Sequence, residues 1–355
     1  MIMTTRETVT ESLERGGRVL LTRLQYLGDV VLTLPVLQIL RERFPRIRVD
    51  YLTKAPGADL LAGDPRLEMI HRLGGDGPGE TIRLVRALRG RRYALAIDFL
   101  ANPRSAILTR LSGARVRVGG TRRGRRHLYT HQVAVPGSVR EATGYHLYHL
   151  QAIGIPAGDL KPVLPLHPEE RERARSVLAT LAPGGESGAG VRVGIHPGGK
   201  WEVKRWPAEY FARLADTLSK DLNASVYVIA GPGEERYVRD LLSHATCGVT
   251  VVPVQPVRMV AALIDSLDCM VVGDGGIMHI AVAVGTPTVG IFGSSEPDIW
   301  FPYERHGPYY AAVAPMACRP CHSHTCDHLS CLRELSVATV ADLVADALAR
   351  RGKDG

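Results

Sequence analysis

Short apolar runs alternate with segments of helical periodicity along the whole chain, a pattern typical of parallel α/β sheets. In the first half, the runs that predict strands are Arg18–Arg23, Arg48–Thr53, Tyr93–Phe99 and Arg115–Gly119. In the second half, they are Val191–Ile195, Ser225–Ala230, Val249–Val252, Cys269–Gly273 and Thr288–Phe292. The periodic segments between them predict helices at Val30–Phe44, which Pro45 ends, and at Pro207–Lys220, Gly233–Ser243 and Val257–Leu267.

The chain has 355 residues, enough for two domains, and the proline-rich segment Lys161–Glu170 suits a linker between them. We expect the next helix to open at Pro168 and the glycine-rich segment Pro183–Gly190 to form a mobile loop. The fold class is therefore α/β, with two Rossmann-like domains whose parallel sheets face a central cleft. The expected boundaries are 1–165 and 166–335, followed by a C-terminal helix in 336–355.

The composition is that of a folded soluble protein, with 45% hydrophobic and 23% charged residues. A net charge of +8 favours anionic partners such as phosphates, nucleic acid or an acidic membrane surface. No apolar run is long enough to span a membrane, and the polar segment Met1–Gly17 does not have the apolar centre of a secretory signal. Six cysteines without such a signal favour a reducing compartment. We expect a cytoplasmic protein and leave open a peripheral contact with a membrane face.

A glycine and an aspartate follow the first predicted strand. Gly28 lets the chain turn sharply, and Asp29 is predicted at the N-cap of the next helix. One interpretation is that Asp29 only caps the helix. The other is that its carboxylate faces the cleft and takes a proton from a bound hydroxyl.

A glycine-rich loop follows the first strand of the second half. The segment Gly194–Trp201 resembles a Walker A motif, but Trp201 replaces the Ser or Thr that binds magnesium, which argues against an ATPase. The glycine fingerprint of dinucleotide-binding proteins is absent. Gly198 and Gly199 suit a loop that holds a diphosphate, together with the nearby basic residues Lys200, Lys204 and Arg205. A solvated loop with surface lysines is the alternative.

A second glycine-rich turn occurs in Gly273–Gly293, between a predicted strand and helix. There, Asp274 precedes Gly275 and Gly276, whose backbone N–H groups at a helix N-terminus favour an anion. His279 lies one turn into that helix, where it either contacts a ligand or has a structural role.

The positive charge has a local source in four arginines, Arg122, Arg123, Arg125 and Arg126. A solvated loop is one interpretation of this cluster, and a binding site for an anionic acceptor is the other. No recognised nucleic-acid motif or aromatic platform accompanies it, so we expect no nucleic-acid partner.

Four of the six cysteines lie close together in the sequence, at Cys318, Cys321, Cys326 and Cys331. Only the first pair has the two-residue gap common in zinc sites, so a structural metal is possible but not required by the spacing. We expect the cluster to be structural rather than catalytic.

The three motifs resemble, in their order and spacing, those of glycosyltransferase family 9, the ADP-heptose:lipopolysaccharide heptosyltransferases. They are the Gly-Asp-Val…Leu-Pro start, the His-Pro-Gly…Lys-Arg-Trp-Pro middle and the Asp-x-Gly-x-x-His…Gly-Thr-Pro…Phe-Gly end. The resemblance implies a GT-B fold, with the acceptor on the N-terminal domain and the nucleotide sugar on the C-terminal one. It also implies that the C-terminal helix packs back towards the first domain.

The resemblance assigns roles to particular residues. Asp29 falls on the proposed catalytic base, and Lys204 on the lysine near the donor phosphates. Gly275 departs from the family pattern, which usually has Ser or Thr there, and a hydroxyl contact to phosphate is lost. The expected donor-binding residues are Lys204, Gly198, Gly199, Asp274, Gly275, Gly276 and His279. The expected acceptor-binding residues are Gly28, Arg122, Arg123, Arg125 and Arg126.

The resemblance implies an inverting transfer of heptose from ADP-heptose to the anionic inner core of lipopolysaccharide. Because Lys204 and the helix N-terminus can hold the leaving diphosphate, no cofactor is expected. A glycosidase would need two carboxylates flanking one bond, and no such pair is recognisable. Three alternatives stay open: a different nucleotide-sugar donor, a GT-B-like nucleotide-sugar epimerase, and a non-catalytic nucleic-acid-binding protein.

Overall fold

A computed structural model describes residues 3–75, 77–122, 124–181 and 190–354. Arg123 and nearly all of the glycine-rich segment predicted to be mobile lie outside the described residues. The chain divides into two compact units, Met1–Pro165 and Leu166–Gly355, and each is described here by itself. No helix in the described ranges combines the length and the apolar character that a membrane span requires.

The first unit is built on a six-stranded parallel sheet with the order β3-β2-β1-β4-β5-β6. Its strands are β1 Arg18–Thr22, β2 Arg48–Thr53, β3 Met69–Arg72, β4 Leu95–Asp98, β5 Val116–Gly120 and β6 His131–Val133. Its helices are α1 Met3–Glu14, α2 Leu27–Leu32, α3 Leu34–Arg43, α4 Gly57–Leu61, α5 Pro78–Arg91, α6 Pro103–Leu111 and α7 Ala142–Gln151, with a 3₁₀ turn at Arg126–Leu128.

The second unit has a sheet of the same kind, with the order β12-β11-β10-β7-β8-β9 and all strands parallel. Its strands are β7 Arg192–His196, β8 Ser225–Val228, β9 Thr250–Val251, β10 Cys269–Gly273, β11 Thr288–Ile291 and β12 Tyr309–Ala312. Its helices are α8 Pro168–Leu181, α9 Ala208–Leu222, α10 Glu235–His244, α11 Val257–Asp265, α12 Gly276–Val284, α13 Pro297–Trp300, α14 Ser330–Arg333 and α15 Val337–Asp354, with 3₁₀ turns at Glu202–Lys204 and Glu304–His306. Both units are Rossmann-like, as the alternating pattern predicted.

The helix predicted over Val30–Phe44 consists of two helices, α2 and α3, which meet at Thr33. The Thr33 hydroxyl donates to the carbonyl of Val30 at 2.7 Å. Pro35 follows within the first turn of α3, where its missing N–H costs nothing. A side-chain hydrogen bond and a proline therefore end one helix and start another within a continuous apolar pattern.

The C-terminal helix α15 packs on α9 and on strands β10, β11 and β12. Its buried side chains Val340, Val344 and Ala347 join the core of the second unit. The helix is therefore part of that unit rather than a segment of its own, and its packing towards the first domain stays a prediction.

Candidate functional site

Asp29 lies in the first turn of α2 but is not its N-cap, as the sequence had suggested. The helix begins at Leu27, after Tyr26, which takes a left-handed conformation with φ +56° and provides no side-chain cap. Asp29 is then the third helical residue rather than the residue that precedes the helix. The capping interpretation of Asp29 is wrong.

The Asp29 carboxylate is instead held by an arginine. Nη2 of Arg23 lies 2.5 Å from Oδ1 of Asp29, and both side chains are mostly buried. Nη1 of the same arginine donates to the carbonyl of Phe99 at 2.9 Å. Arg23 directly follows β1, so the ion pair lies at the carboxyl edge of the first sheet, where ligands of such sheets bind. Sequence reasoning missed Arg23, although a basic residue at the end of an apolar strand was a visible signal.

A second arginine is anchored to the same loop after β4. Nε of Arg125 donates to the carbonyl of Ala101 at 3.0 Å. Asp98 shapes this loop, because its buried carboxylate accepts the backbone N–H groups of Leu100 and Ala101 and the hydroxyl of Tyr129. Burial raises the pKa of Asp98, although these hydrogen bonds oppose the shift. One loop therefore presents two carbonyls to two arginines.

Two of the other predicted acceptor-binding arginines lie within the described residues. Arg122 and Arg126 are exposed on the loop and the 3₁₀ turn after β5. Gly28 lies beside Asp29 in the first turn of α2. The structure therefore brings Arg125 to the loop that also anchors Arg23, and leaves Arg122 and Arg126 at the surface.

Two buried histidines of α7 lie against Phe99, which packs edge-on to the rings of His146 and His149 with centroids 5.3 Å apart in both pairs. Burial lowers the pKa of His149 to about 4 and the pKa of His146 well below its ordinary value. The positive charge of Arg23 lowers both pKa values further. Both imidazoles are therefore neutral at pH 7. Within the described ranges, Nδ1 of His146 has no hydrogen-bond partner.

In the second unit, the predicted donor residues Lys204 and Asp274 meet. Nζ of Lys204 lies 2.5 Å from Oδ2 of Asp274, and the Ser295 hydroxyl donates to the same oxygen. Asp274 directly follows β10, and Lys204 ends the 3₁₀ turn after β7. Because β10 and β7 are hydrogen-bonded neighbours, the pair lies at the carboxyl edge of the second sheet.

Two glycines let the 3₁₀ turn come this close. A Cβ on Gly273 would lie 2.7 Å from the carbonyl oxygen of Lys204, and one on Gly293 would lie 2.2 Å from that of Val203. Any side chain at either position would push the turn away and carry Lys204 off Asp274. Gly273 at the end of β10 and Gly293 after β11 are therefore required for packing.

Helix α12 begins directly after Asp274, with Gly275 as an extended N-cap and Gly276 as the first helical residue. The first N–H groups of a helix have no partner within it, so they favour an anion. His279 is buried in the same helix, and burial lowers its pKa to about 4, so it is neutral at pH 7. In the described part of the protein, its Nδ1 atom has no hydrogen-bond partner.

The loop around Gly198 and Gly199 differs from the prediction. The N–H of Gly199 donates to Oε1 of Glu234 at 2.9 Å, and the N–H of Gly231 to Oε2 at 2.7 Å. A Cβ on Gly198 would lie only 2.1 Å from the same carboxylate. The N–H group of Gly199 is thus taken by a side chain of the protein, not open to a phosphate as expected.

Glu234 is a residue that the sequence reasoning missed. His196 also contacts its carboxylate, at 3.2 Å. Burial alone raises the pKa of Glu234, but the hydrogen bonds from His196, Gly231 and Gly199 outweigh it and hold the pKa at about 2. Because it ties together the loops after β7 and β8, Glu234 is a positioning residue for the segment that leads to Lys204.

The cysteine-rich segment packs against the loop after β11. The backbone N–H of Cys321 donates to the carbonyl of Ser294, and Nε of Arg319 donates to the carbonyl of Gly293. Cys331 is buried in the core of the second unit, and burial raises the pKa of its thiol, whereas Cys318 and Cys321 are exposed. Among the described residues, no three His, Cys, Asp or Glu side chains are arranged to hold a metal ion. Cys318, Cys321 and Cys326 all help to raise the pKa of Cys331, so the four thiols lie near one another, and a metal at this cluster stays a prediction.

Residues 81–331 match the family described as glycosyltransferase family 9 (heptosyltransferase). The chain belongs to glycosyltransferase family 9. It is similar to lipopolysaccharide heptosyltransferase 1 of Pseudomonas aeruginosa, with 26% identity over 88% of each chain. It is also similar to lipopolysaccharide heptosyltransferase 3 of Escherichia coli, with 23% identity over 80% of this chain and 85% of the other.

Among solved structures, the E. coli ADP-heptose LPS heptosyltransferase II has a TM-score of 0.79 and 19% identity, covering 94% of this chain and 99% of the other. This likeness and the two parallel six-stranded sheets confirm the predicted GT-B fold. As a member of glycosyltransferase family 9, the protein is a glycosyltransferase, which confirms the enzyme class that the motifs implied.

Proposed function

We propose that this family 9 enzyme transfers heptose from ADP-heptose to the inner core of lipopolysaccharide with inversion at the anomeric carbon. The observation that carries the proposal is the Lys204–Asp274 pair at the start of α12, in a chain of family 9. The names of the similar proteins supply the sugar and the acceptor class.

The diphosphate of the donor would bind at Lys204 and at the N-terminus of α12. An ammonium group has three donors, so Lys204 can keep its contact with Asp274 and still donate to a phosphate oxygen. The N–H groups of Gly275 and Gly276 add positive partial charge at the same place. These groups stabilise the charge that develops on the leaving diphosphate, so the proposed reaction needs no cofactor.

Asp29 would act as the general base on the acceptor. Its carboxylate accepts the proton of the acceptor hydroxyl while that oxygen forms a bond to the anomeric carbon. The oxygen attacks from the face opposite the diphosphate. The bond between the anomeric carbon and the diphosphate breaks at the same time, so ADP leaves and the anomeric configuration inverts. Arg23 is a positioning residue, because it holds the Asp29 carboxylate in one orientation.

The anionic core acceptor would bind beside Gly28 and Asp29, through the charges of Arg122, Arg123, Arg125 and Arg126. The anchoring of Arg125 on the loop that also holds Arg23 supports this role. A different nucleotide-sugar donor is the main alternative, because Gly275 lacks the hydroxyl that the family pattern usually has at this position.

The test uses purified protein, ADP-heptose and core oligosaccharide released from a heptose-deficient strain. Mass spectrometry should find one added heptose per acceptor, with equal yield in the presence of a chelator, and NMR should find the inverted anomer. Transfer from another nucleotide sugar alone would contradict the donor assignment. Free sugar or an epimer formed without acceptor would indicate the epimerase instead.

A further inference from the structure

The positive charge of the protein is concentrated in one stretch of the first unit. Residues 81–140 contain fourteen arginines and no lysine, against a single acidic residue, Asp98. Asp98 is buried and bound to backbone N–H groups, so it does not offset charge at the surface. Because the whole chain carries only +8, the other residues taken together are net acidic.

Part of this charge serves the fold. Arg91 pairs with Asp50 at 2.7 Å, and Arg104, Arg117 and Arg125 donate to backbone carbonyls. The structure leaves most of the others at the surface, and no ion pair within the described ranges involves them. These exposed arginines are Arg83, Arg86, Arg89, Arg92, Arg110, Arg115, Arg122 and Arg126.

Helices α5 and α6 bring several of these arginines to one surface. Leu84 and Leu88 of α5 and Leu108 of α6 enter the same apolar core, so the two helices cover the same side of the sheet and pack on each other. A Cβ on Gly113 would lie 4.0 Å from Cγ of Arg89, so the end of α5 adjoins the turn after α6. We define the arginine face as the outward residues of these two helices, Ile82, Arg83, Arg86, Arg89, Ile107, Arg110 and Leu111.

The arginine face also exposes aliphatic side chains. Ile82 is 51% exposed, Ile107 48% and Leu111 36%, so three aliphatic side chains lie among the arginines. Apolar side chains among arginines are typical of surfaces that lie on a membrane, where the former enter the interface and the latter meet lipid phosphates. The face has no aromatic side chain on which bases could stack, which disfavours nucleic acid.

We propose that the arginine face docks the protein on a bilayer of anionic lipids. The arginines repel one another: burial lowers the pKa of Arg117, and the nearby charge of Arg110 lowers it further. An anionic partner would relieve this repulsion. The inference extends the proposed function, because a lipid-linked acceptor is presented at a membrane.

The test is sedimentation of the full chain with vesicles of phosphatidylglycerol and phosphatidylcholine, and with vesicles of phosphatidylcholine alone. Each arginine near an anionic surface contributes about fivefold to binding, so R83Q, R86Q and R110Q together should weaken it about a hundredfold. The matched control R173Q, R175Q and R239Q removes the same charge from exposed positions of α8 and α10 and should bind like the parent. I82S with I107S should weaken binding even at high salt, where charge is screened.

Equal loss in the control variant, or no binding to anionic vesicles by the parent, would overturn the proposal. So would binding to duplex DNA that the arginine variant loses while neither protein binds vesicles. Transfer of heptose to a lipid-free core acceptor is measured on the same variants and should be unchanged. Vesicle binding without any transfer would count against the proposed function alone, and transfer without vesicle binding against the docking face alone.

Discussion

Lys204 and Asp274 are 70 residues apart in the sequence, yet Nζ of the lysine lies 2.5 Å from Oδ2 of the aspartate. The contact depends on Gly273 and Gly293, which let the backbone of the 3₁₀ turn approach β10 and β11. It brings the only positive charge of that turn to the start of α12. The Lys204–Asp274 pair is therefore set by backbone packing.

Replacing Lys204 by Ala should weaken ADP binding about ten- to a hundredfold, because one charge-assisted hydrogen bond to phosphate is lost. The value of kcat/KM should fall further, since the charge on the diphosphate grows in the transition state. Calorimetry with ADP and steady-state kinetics measure the two effects. Lys220→Ala, at an exposed position in the last turn of α9, is the control and should bind ADP like the parent. Unchanged ADP affinity in Lys204→Ala would contradict the phosphate assignment.

Replacing Asp29 by Asn should lower kcat by roughly 10²- to 10⁴-fold and leave ADP affinity unchanged, because a general base is lost. The melting temperature should also fall, because Asn leaves the mostly buried Arg23 without its charged partner, so kcat is compared per folded molecule. Arg23→Gln should also lower kcat, because the Asp29 carboxylate loses the group that orients it. Near-normal kcat in Asp29→Asn would require another base.

Replacing Glu234 by Gln should change how stability depends on pH. The pKa of this carboxyl is lowered from 4.5 to about 2 in the folded protein, so it stabilises the fold above pH 4.5 and this share is lost as pH falls towards 2. The variant should be about 2 kcal/mol less stable at pH 7 and should differ less from the parent near pH 2. Denaturant unfolding between pH 2 and pH 7 measures this difference.

Glu235→Gln is the control, because Glu235 is exposed. The free energy of unfolding of this variant should depend on pH as that of the parent does. A pH-independent difference between Glu234→Gln and the parent would contradict the anchoring role of the carboxylate. The ADP affinity of Glu234→Gln should also fall, since the loop that leads to Lys204 loses its tie to β8.

Replacing Cys331 by Ser should lower stability by about 1–3 kcal/mol, because a hydroxyl enters the core of the second unit. Cys318→Ser should change it by less than about 0.5 kcal/mol, because Cys318 is exposed. Turnover per folded molecule should stay normal in both. Thermal melting, kinetics and elemental analysis of protein purified without chelator test this. Equal destabilisation together with a bound metal would make the four cysteines a ligand set.

The sequence predicted the strands well because a buried parallel strand needs only a short apolar run. Arg48–Thr53 and Cys269–Gly273 are strands at the predicted bounds. The edge strands β3, β6 and β12 were missed, since each has only three or four residues and some of these are partly exposed. The break at Thr33 was missed because the apolar pattern runs through it, and the hydrogen bond of its hydroxyl is not visible in that pattern.

The site was predicted in part for a similar reason. Lys204 and Asp274 were both recognised from their motifs, but their contact depends on how two loops pack. Glu234 was missed because its partners are His196, Gly199 and Gly231, and only Gly231 is near it in the sequence. Arg23 was missed because its orientation depends on a hydrogen bond to the Phe99 carbonyl. The pairing of β1 with β4 brings that carbonyl beside it.

The two sheets follow one strand order: the second and third strands lie on one side of the first strand, and the fourth, fifth and sixth lie on the other. Asp29 lies in the helix that follows β1, and Lys204 in the 3₁₀ turn that follows β7, so each residue comes after the first strand of its own sheet. Each unit therefore repeats one strand topology, and the residue proposed to act in the transfer follows the same strand in both. Substitutions in the segments that connect the strands of the first unit can therefore alter the proposed acceptor site and leave the strand pairing of the second unit unchanged.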